Sequence, residues 1–399
     1  MPAVEALEHV FSSVERGLFP GQGRGFQTVA ASEGLIGSAD LGVLEEAAFY
    51  ALSRERRGRR DSPDKETFFR LPSGRFAVGR TVYRGVDALG REGNYLTRHL
   101  VVDREALLEL DANPFALLDA PELSRASPEV VPRRLPTLAL DLPAAPPEAR
   151  DADGTAPDLL AGLIAAIVDG GEKTVLLIGD EQASRRAVRA LFSLLAQEER
   201  LRLTFSSHFY ESHHLRPRYA LAAVGAGSEA PAQRQDYLAF DLAAGLALPA
   251  RVQSAYARWL AGRVEARDWA PVAELNRLLD RLRGERRGAH GGSLPETPEA
   301  CAALWERAGA RAVPELLGRA QLLKTCLERP LATALLAAAA PSALCGPEAS
   351  PETIAGLLGE IKAVVAAGDW QDWVGRWRGD PALDLAGRQE RPWWRKWGR

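Results

Sequence analysis

Residues 143–157 read PAAPPEARDADGTAP, a proline- and alanine-rich stretch with neither helical nor strand periodicity. Such a stretch predicts a linker. It divides the chain into segments whose hydrophobic rhythms differ, and at 399 residues the chain is long enough for two or three domains.

Before the linker, residues 1–142 carry short β-rich runs. Residues 24–32 (RGFQTVAAS) alternate as a strand does, and residues 40–53 place Leu41, Leu44, Ala47, Ala48 and Leu52 at helical spacing. The charged stretch 54–65 predicts an exposed loop. Residues 67–71 and 75–83 flank Pro72, Ser73 and Gly74, the pattern of a hairpin. A glycine-rich loop is expected over 85–94, then a strand over 95–102 and a helix over 104–110 capped by Asp103. The expectation is an α+β domain with a mixed, mostly antiparallel sheet.

Beyond the linker, residues 158–250 alternate between the two periods. Helices are predicted at 158–168 and 182–198, and strands at 174–178, 202–207, 219–224 and 237–241. Strand–helix–strand at this spacing predicts parallel pairing with a helical crossover, hence a small α/β middle domain. Residues 251–385 predict a helical region, with helices at 251–266, 268–285, 297–309, 312–328, 330–340 and 351–367. Residues 386–399 form a Trp- and Arg-rich tail.

The charge balance narrows the partners. A net charge of −3 calls for neither nucleic acid nor an anionic membrane. Nucleic acid is not expected as a partner, and the basic run 54–60 reads as solvated. Three cysteines at 301, 326 and 345 form no disulfide framework. No signal peptide and no apolar run of transmembrane length are seen, so a cytoplasmic location is expected.

Residues with chemical potential are few. The loop 21–25 is glycine-rich but precedes a strand, whereas a dinucleotide fingerprint follows one. Residues 177–184 (LIGDEQAS) sit at a strand–helix junction but lack Gly-Lys-Ser/Thr, and their carboxylates suit a helix start. His208, His213 and His214 cluster after a strand, where α/β sheets place ligands; a polar loop is the plainer reading. Asp87, Arg91, Asn94 and His99 are candidates for a polar pocket in which His99 could act as a general base. A histidine hydrogen-bonded within the sheet is the alternative. No cofactor or metal is assigned.

Six of the nine tryptophans lie at 370, 373, 377, 393, 394 and 397. Trp370, Trp373 and Trp377 share a helix face and are expected to pack inward. Trp393, Trp394, Arg395 and Trp397 have the composition of a binding hot spot and are candidates for partner docking, with peripheral membrane contact as the alternative.

The run 79–101, GRTVYRGVDALGREGNYLTRHLV, resembles the N-terminal domain of bacterial GTPase-associated proteins. The family shows a tyrosine strand, a Gly-Arg-x-Gly-Asn turn and a histidine before an apolar strand; Glu92 stands where it often has proline. Residues 25–27 and 32–35 are also similar. The middle of the chain resembles the family's middle domain at 174–178, 191–195 and 203–207, so the likeness spans roughly 20–245 and leaves the tail outside. It implies association with a GTPase or other NTPase, as an adaptor or regulator in multi-gene conflict (defence-type) systems, and supplies no catalytic set. The leading expectation is therefore a non-enzymatic adaptor. The alternative is a hydrolase or nuclease-like enzyme using His99 or the His208–His214 cluster.

Overall fold

The computed structural model describes residues 3–21, 23–50, 62–87, 90–124, 131–142, 152–169, 173–209, 219–225, 237–242, 254–283, 297–312, 367–383 and seven isolated positions between 315 and 365. They fall into two compact units, Met1–Val252 with Ala261–Trp269, and Gln253–Leu260 with Ala270–Arg399.

The first unit is built on one sheet. Its strands are β1 (Ala3–Val14), β2 (Gly25–Ser32), β3 (Lys65–Arg70), β4 (Phe76–Val86), β5 (Glu92–Val102), β6 (Arg133–Leu135), β7 (Leu138–Asp141), β8 (Thr174–Gly179), β9 (Phe205–Phe209), β10 (Leu221–Gly225) and β11 (Tyr237–Asp241). The order across the sheet is β11-β8-β10-β9-β3-β4-β5-β1-β2-β6, with β7 on β1. The β1–β5 block is antiparallel and β8–β11 are parallel to one another. The expected α+β and α/β characters are therefore both present, and they share one sheet. β3 runs antiparallel to β9, pairing Thr67 with Ser206 and Phe68 with Phe205.

Helices cover both faces of this sheet, which is why β3 and the first half of β4 are buried almost without alternation. On one face α1 (Ala39–Ala48) packs against β1, β4 and β5. On the other lie α3 (Pro114–Leu118), α4 (Pro121–Ser124) and α6 (Glu181–Leu194), with α2 (Arg104–Glu109) preceding them and α5 (Pro157–Asp169) beside α6 and β8. Phe68, Phe76, Phe115, Phe192 and Phe205 interlock there, with ring centroids 5.4 to 6.2 Å apart. Each such ring contributes roughly 1.5–3 kcal/mol by burial. The cluster draws on β3, β4 and α3 from before residue 142 and on α6 and β9 from after it, so the core is common to both segments.

Local differences from the sequence reading have physical reasons. The sequence pattern predicts no element over residues 3–14, yet β1 lies inside the sheet between β5 and β2; with both faces covered it shows little of the alternation that marks a half-exposed strand. Lys65, expected in an exposed loop, begins β3 and is 7% exposed. Both ends of the expected loop 85–94 are strand, because Gly85 pairs with Asn94 and Val86 with Glu92. The expected helix 182–198 breaks at Leu195 and Ala196, both extended and fully buried, before α7 (Gln197–Arg202). Arg202 therefore ends a helix, and β9 starts only at Phe205. Asp103 occupies the start of α2, but its side chain makes no capping bond.

In the C-terminal region the described helices are α8 (Ala255–Ala266), α9 (Trp269–Arg283), α10 (Pro298–Ala308) and α11 (Ala367–Arg376). Thr297 caps α10 by accepting from Ala300 N–H at 3.2 Å. On α11, Trp370 and Trp373 are buried with centroids 5.3 Å apart, and Trp377 is half-buried just past the helix end. The helices expected at 312–328 and 330–340 lie almost wholly outside the described residues.

Candidate functional site

The polar groups of the first unit gather under α1. On that face of the sheet β1 presents His9, β5 presents Thr97 and His99, β4 presents Gly79 and Thr81, and β3 presents Lys65 and Thr67. The register sets these alignments, with His9 opposite His99, His99 opposite Gly79, and Gly79 opposite Thr67. Gly79 is required here: a Cβ would lie 2.3 Å from His99 Cδ2 and 2.6 Å from Thr67 Oγ1.

The hydrogen bonds fix the protons. Thr28 Oγ1 lies 2.5 Å from Glu45 Oε1 and donates to it, since the carboxylate can only accept. Thr28 must then accept from His9 Nε2 at 3.0 Å, which makes His9 the Nε2–H tautomer. His9 Nδ1 is left as an acceptor, and His99 Nδ1–H donates to it at 3.1 Å. His99 Nε2 is thus a bare lone pair, and it has no partner among the described residues. Both rings are fully buried, and Phe69 closes on His99 edge-to-face at 5.8 Å.

Electrostatics keep the pair neutral. Burial pushes His9 down to about 3. Burial, then the neighbouring His9 and Lys65, hold His99 well below the ordinary imidazole value. Burial also pushes the Lys65 ammonium down to about 7. Lys65 Nζ donates to the carbonyls of Ala47 and Phe49 at 2.8 and 2.7 Å, and Thr97 Oγ1 donates to that of Ala48 at 3.1 Å. Because Thr97 spends its proton there, Thr81 is the donor in the 2.8 Å Thr81–Thr97 bond. Sheet side chains therefore satisfy three consecutive carbonyls that the end of α1 leaves open.

Of the four residues predicted as one polar pocket, Asp87, Arg91 and Asn94 gather at the β4–β5 turn and His99 does not. Asp87 and Arg91 pair at the β4–β5 turn, with Arg91 donating through N–H, Nε and Nη2 at 2.9, 2.9 and 2.7 Å. Asn94 donates to the Val86 carbonyl at 3.4 Å. His99 lies five residues further along β5, in the interior array. His208 is half-buried at the end of β9, its ring 5.2 Å from that of Tyr50. Asp180 caps α6 by accepting from Ala183 N–H at 2.9 Å. His213, His214, Trp393, Trp394, Arg395 and Trp397 lie outside the described residues. His9, Thr28, Glu45 and Lys65 went unnoticed in the sequence; the available signal was a histidine in a short run of mixed apolar and acidic residues at 3–14, readable only once that run is seen as a strand.

A second polar group stands on the opposite face. Glu66 Oε1 accepts from Arg80 at 2.9 Å and from Arg185 of α6 at 2.6 Å, and Arg189 pairs with Asp119 at 2.8 Å while stacking over Phe115. Arg104 pairs with Glu198, and Asp111 receives Gln197 and Arg200. Most of these contacts join the segment before the linker to the segment after it.

The N-terminal domain, type 2, of GTPase-associated protein 1 matches residues 5–140, which carry β1 to β7. The middle domain of the same family matches residues 147–244, which carry α5 to β11. The two matches together take in more than half of the chain. Over these two stretches the chain is similar to GTPase-associated protein 1. The first stretch holds the His9–His99 array, and the two stretches meet at the β3–β9 pairing. No curated protein matches the sequence. Among the described residues no helix is long and apolar enough to cross a membrane, and no group of three or more His, Cys, Asp or Glu side chains is placed to hold a metal ion.

Proposed function

We propose that this chain is a non-enzymatic adaptor or regulatory component that associates with a GTPase or other NTPase, and that it serves a bacterial multi-protein conflict (defence-type) system. The observation that carries the reading is the paired match, in order, to the N-terminal and middle domains of GTPase-associated protein 1. The geometry agrees with it. His99, the best candidate for a general base, is sealed between His9, Gly79 and Phe69 with none of its surface open. Asp87 and Arg91 are engaged with each other. Docking is assigned to Trp393, Trp394, Arg395 and Trp397, since Trp and Arg dominate interface hot spots.

The test is co-purification of the tagged chain from its native host, with and without a non-hydrolysable GTP analogue. A stoichiometric NTPase is expected, and deletion of 386–399 should weaken its capture by at least tenfold. Full capture by the deleted chain would remove the tail from the reading. A second reading, hydrolysis using His208, has in its favour the placement of that half-buried ring at the carboxyl end of a parallel strand. It requires a turnover that His208→Ala abolishes.

A further inference from the structure

Helix α1 is fastened to the sheet by different chemistry at its two ends. Near its start, Asp40 accepts from Ser73 N–H at 3.0 Å and from Arg75 at 2.8 Å. Burial would raise the Asp40 carboxyl, but the bonds from Ser73 and Arg75 outweigh it and hold the group below its ordinary value. This end therefore keeps its ion pair in mild acid. The C-terminal half is held through Glu45, Thr28, His9 and His99, together with Lys65 and Thr97.

We propose that the His9–His99 pair is an acid-sensitive latch, which releases the C-terminal half of α1 from the sheet while the Asp40–Arg75 end stays fixed. The hydrogen-bond chain admits one neutral arrangement, and an added proton spoils it in either available place. On His9 Nδ1 it would face the His99 N–H across 3.1 Å, donor against donor. On His99 Nε2 it would find no acceptor among the described residues. Either cation would stand in a dry interior with Lys65. The groups facing the pair are Glu45 from α1, which reaches His9 only through Thr28 of β2; Lys65 and Thr67 from β3; Gly79 and Thr81 from β4; and Thr97 from β5. Release would uncover the apolar surface that Leu44 and Ala47 share with Phe69, Ala77 and Val101.

The sign of the pH effect follows from linkage. In the closed state His9 binds a proton only near 3, whereas a solvated imidazole binds at 6.5. The open state therefore gains protons first, so the histidines' contribution to closure is fully present above 6.5 and is lost as pH falls below it. For His9 alone, going from pH 7 to pH 5 favours opening by about 25-fold, and His99 acts in the same direction. Lys65, at about 7 against an ordinary 10.5, acts in the same sense but mostly above pH 7. The change between pH 7 and 5 thus belongs to the histidines.

Amide hydrogen exchange of the full chain at pH 7, 6 and 5, corrected for the intrinsic rate at each pH, tests this. Protection over residues 44–50 should fall at least tenfold from pH 7 to 5 while β4 and β5 keep theirs. The double variant His9→Gln, His99→Asn, whose amides donate in the same places without titrating, should abolish the fall. Constant protection of α1 down to pH 5, or an equal loss over α1, β4 and β5, would overturn the proposal. The wild-type comparison across these segments decides the matter even if the double variant does not fold.

Discussion

Replacing Gly79 by alanine would drive a methyl carbon into His99 and Thr67, at 2.3 and 2.6 Å before relaxation. Neither neighbour is the free end of a flexible side chain, so the strain should cost about 1–3 kcal/mol. Urea unfolding at pH 8 measures it, and His99→Ala in the same chain should recover at least about 0.5 kcal/mol as a coupling energy. Additivity of the two changes would mean that the ring does not rest on Gly79. At this scale the sequence was partly legible. His99 is set on one face of a strand with Tyr95, Thr97 and Val101 by period-two alternation alone. Its partner was not, because the contact with His9 spans 90 positions and leaves no local trace.

The end of α1 shows how an element is closed from outside itself. A helix leaves its last carbonyls open, and here Lys65 and Thr97 meet the carbonyls of Ala47, Ala48 and Phe49. Thr97→Val keeps the shape, removes the donor to Ala48 and leaves the Thr81 hydroxyl without its acceptor. A loss of about 1–3 kcal/mol is expected, read as a lower urea midpoint with an unchanged slope; an unchanged midpoint would show that water replaces the bond without cost. The β3–β4 hairpin was readable from Pro72, Ser73 and Gly74, the last at φ +91°. The break between α6 and α7 was not, since Leu194, Leu195 and Ala196 are all compatible with continued helix. Burial of Leu195 and Ala196, and the bonds from Gln197 and Arg200 to Asp111, decide that turn.

Across the whole first unit, the two matched segments share a sheet and a core. The Glu66 N–H donates to Ser207 Oγ across 141 positions, Arg185 closes on Glu66, and Phe68 lies among Phe192 and Phe205. The linker-like composition of 143–157 points to two domains, and no local pattern can announce a strand pairing at such separation. We propose that residues 1–252 fold as one cooperative body. Residues 1–142 expressed alone would expose Phe68 and Phe115 and should show no cooperative thermal transition by circular dichroism; a sharp transition in that fragment would count against the proposal. Glu66→Gln should weaken the seam, because it leaves Arg80 and Arg185 without the carboxylate they share. Because Arg185 is 42% exposed and water offsets part of the loss, a cost of about 1–3 kcal/mol is expected, and full retention of stability would assign those arginines to other partners.

The adaptor reading stands or falls on a direct interaction. The decisive measurement is titration of the purified full chain into the purified NTPase recovered with it, followed by calorimetry with that partner loaded either with a non-hydrolysable triphosphate analogue or with diphosphate. Saturable 1:1 binding that differs by at least tenfold between the two nucleotide states is the expected result. Equal affinity in both states would contradict a regulatory association, and no heat in either state would contradict the association itself.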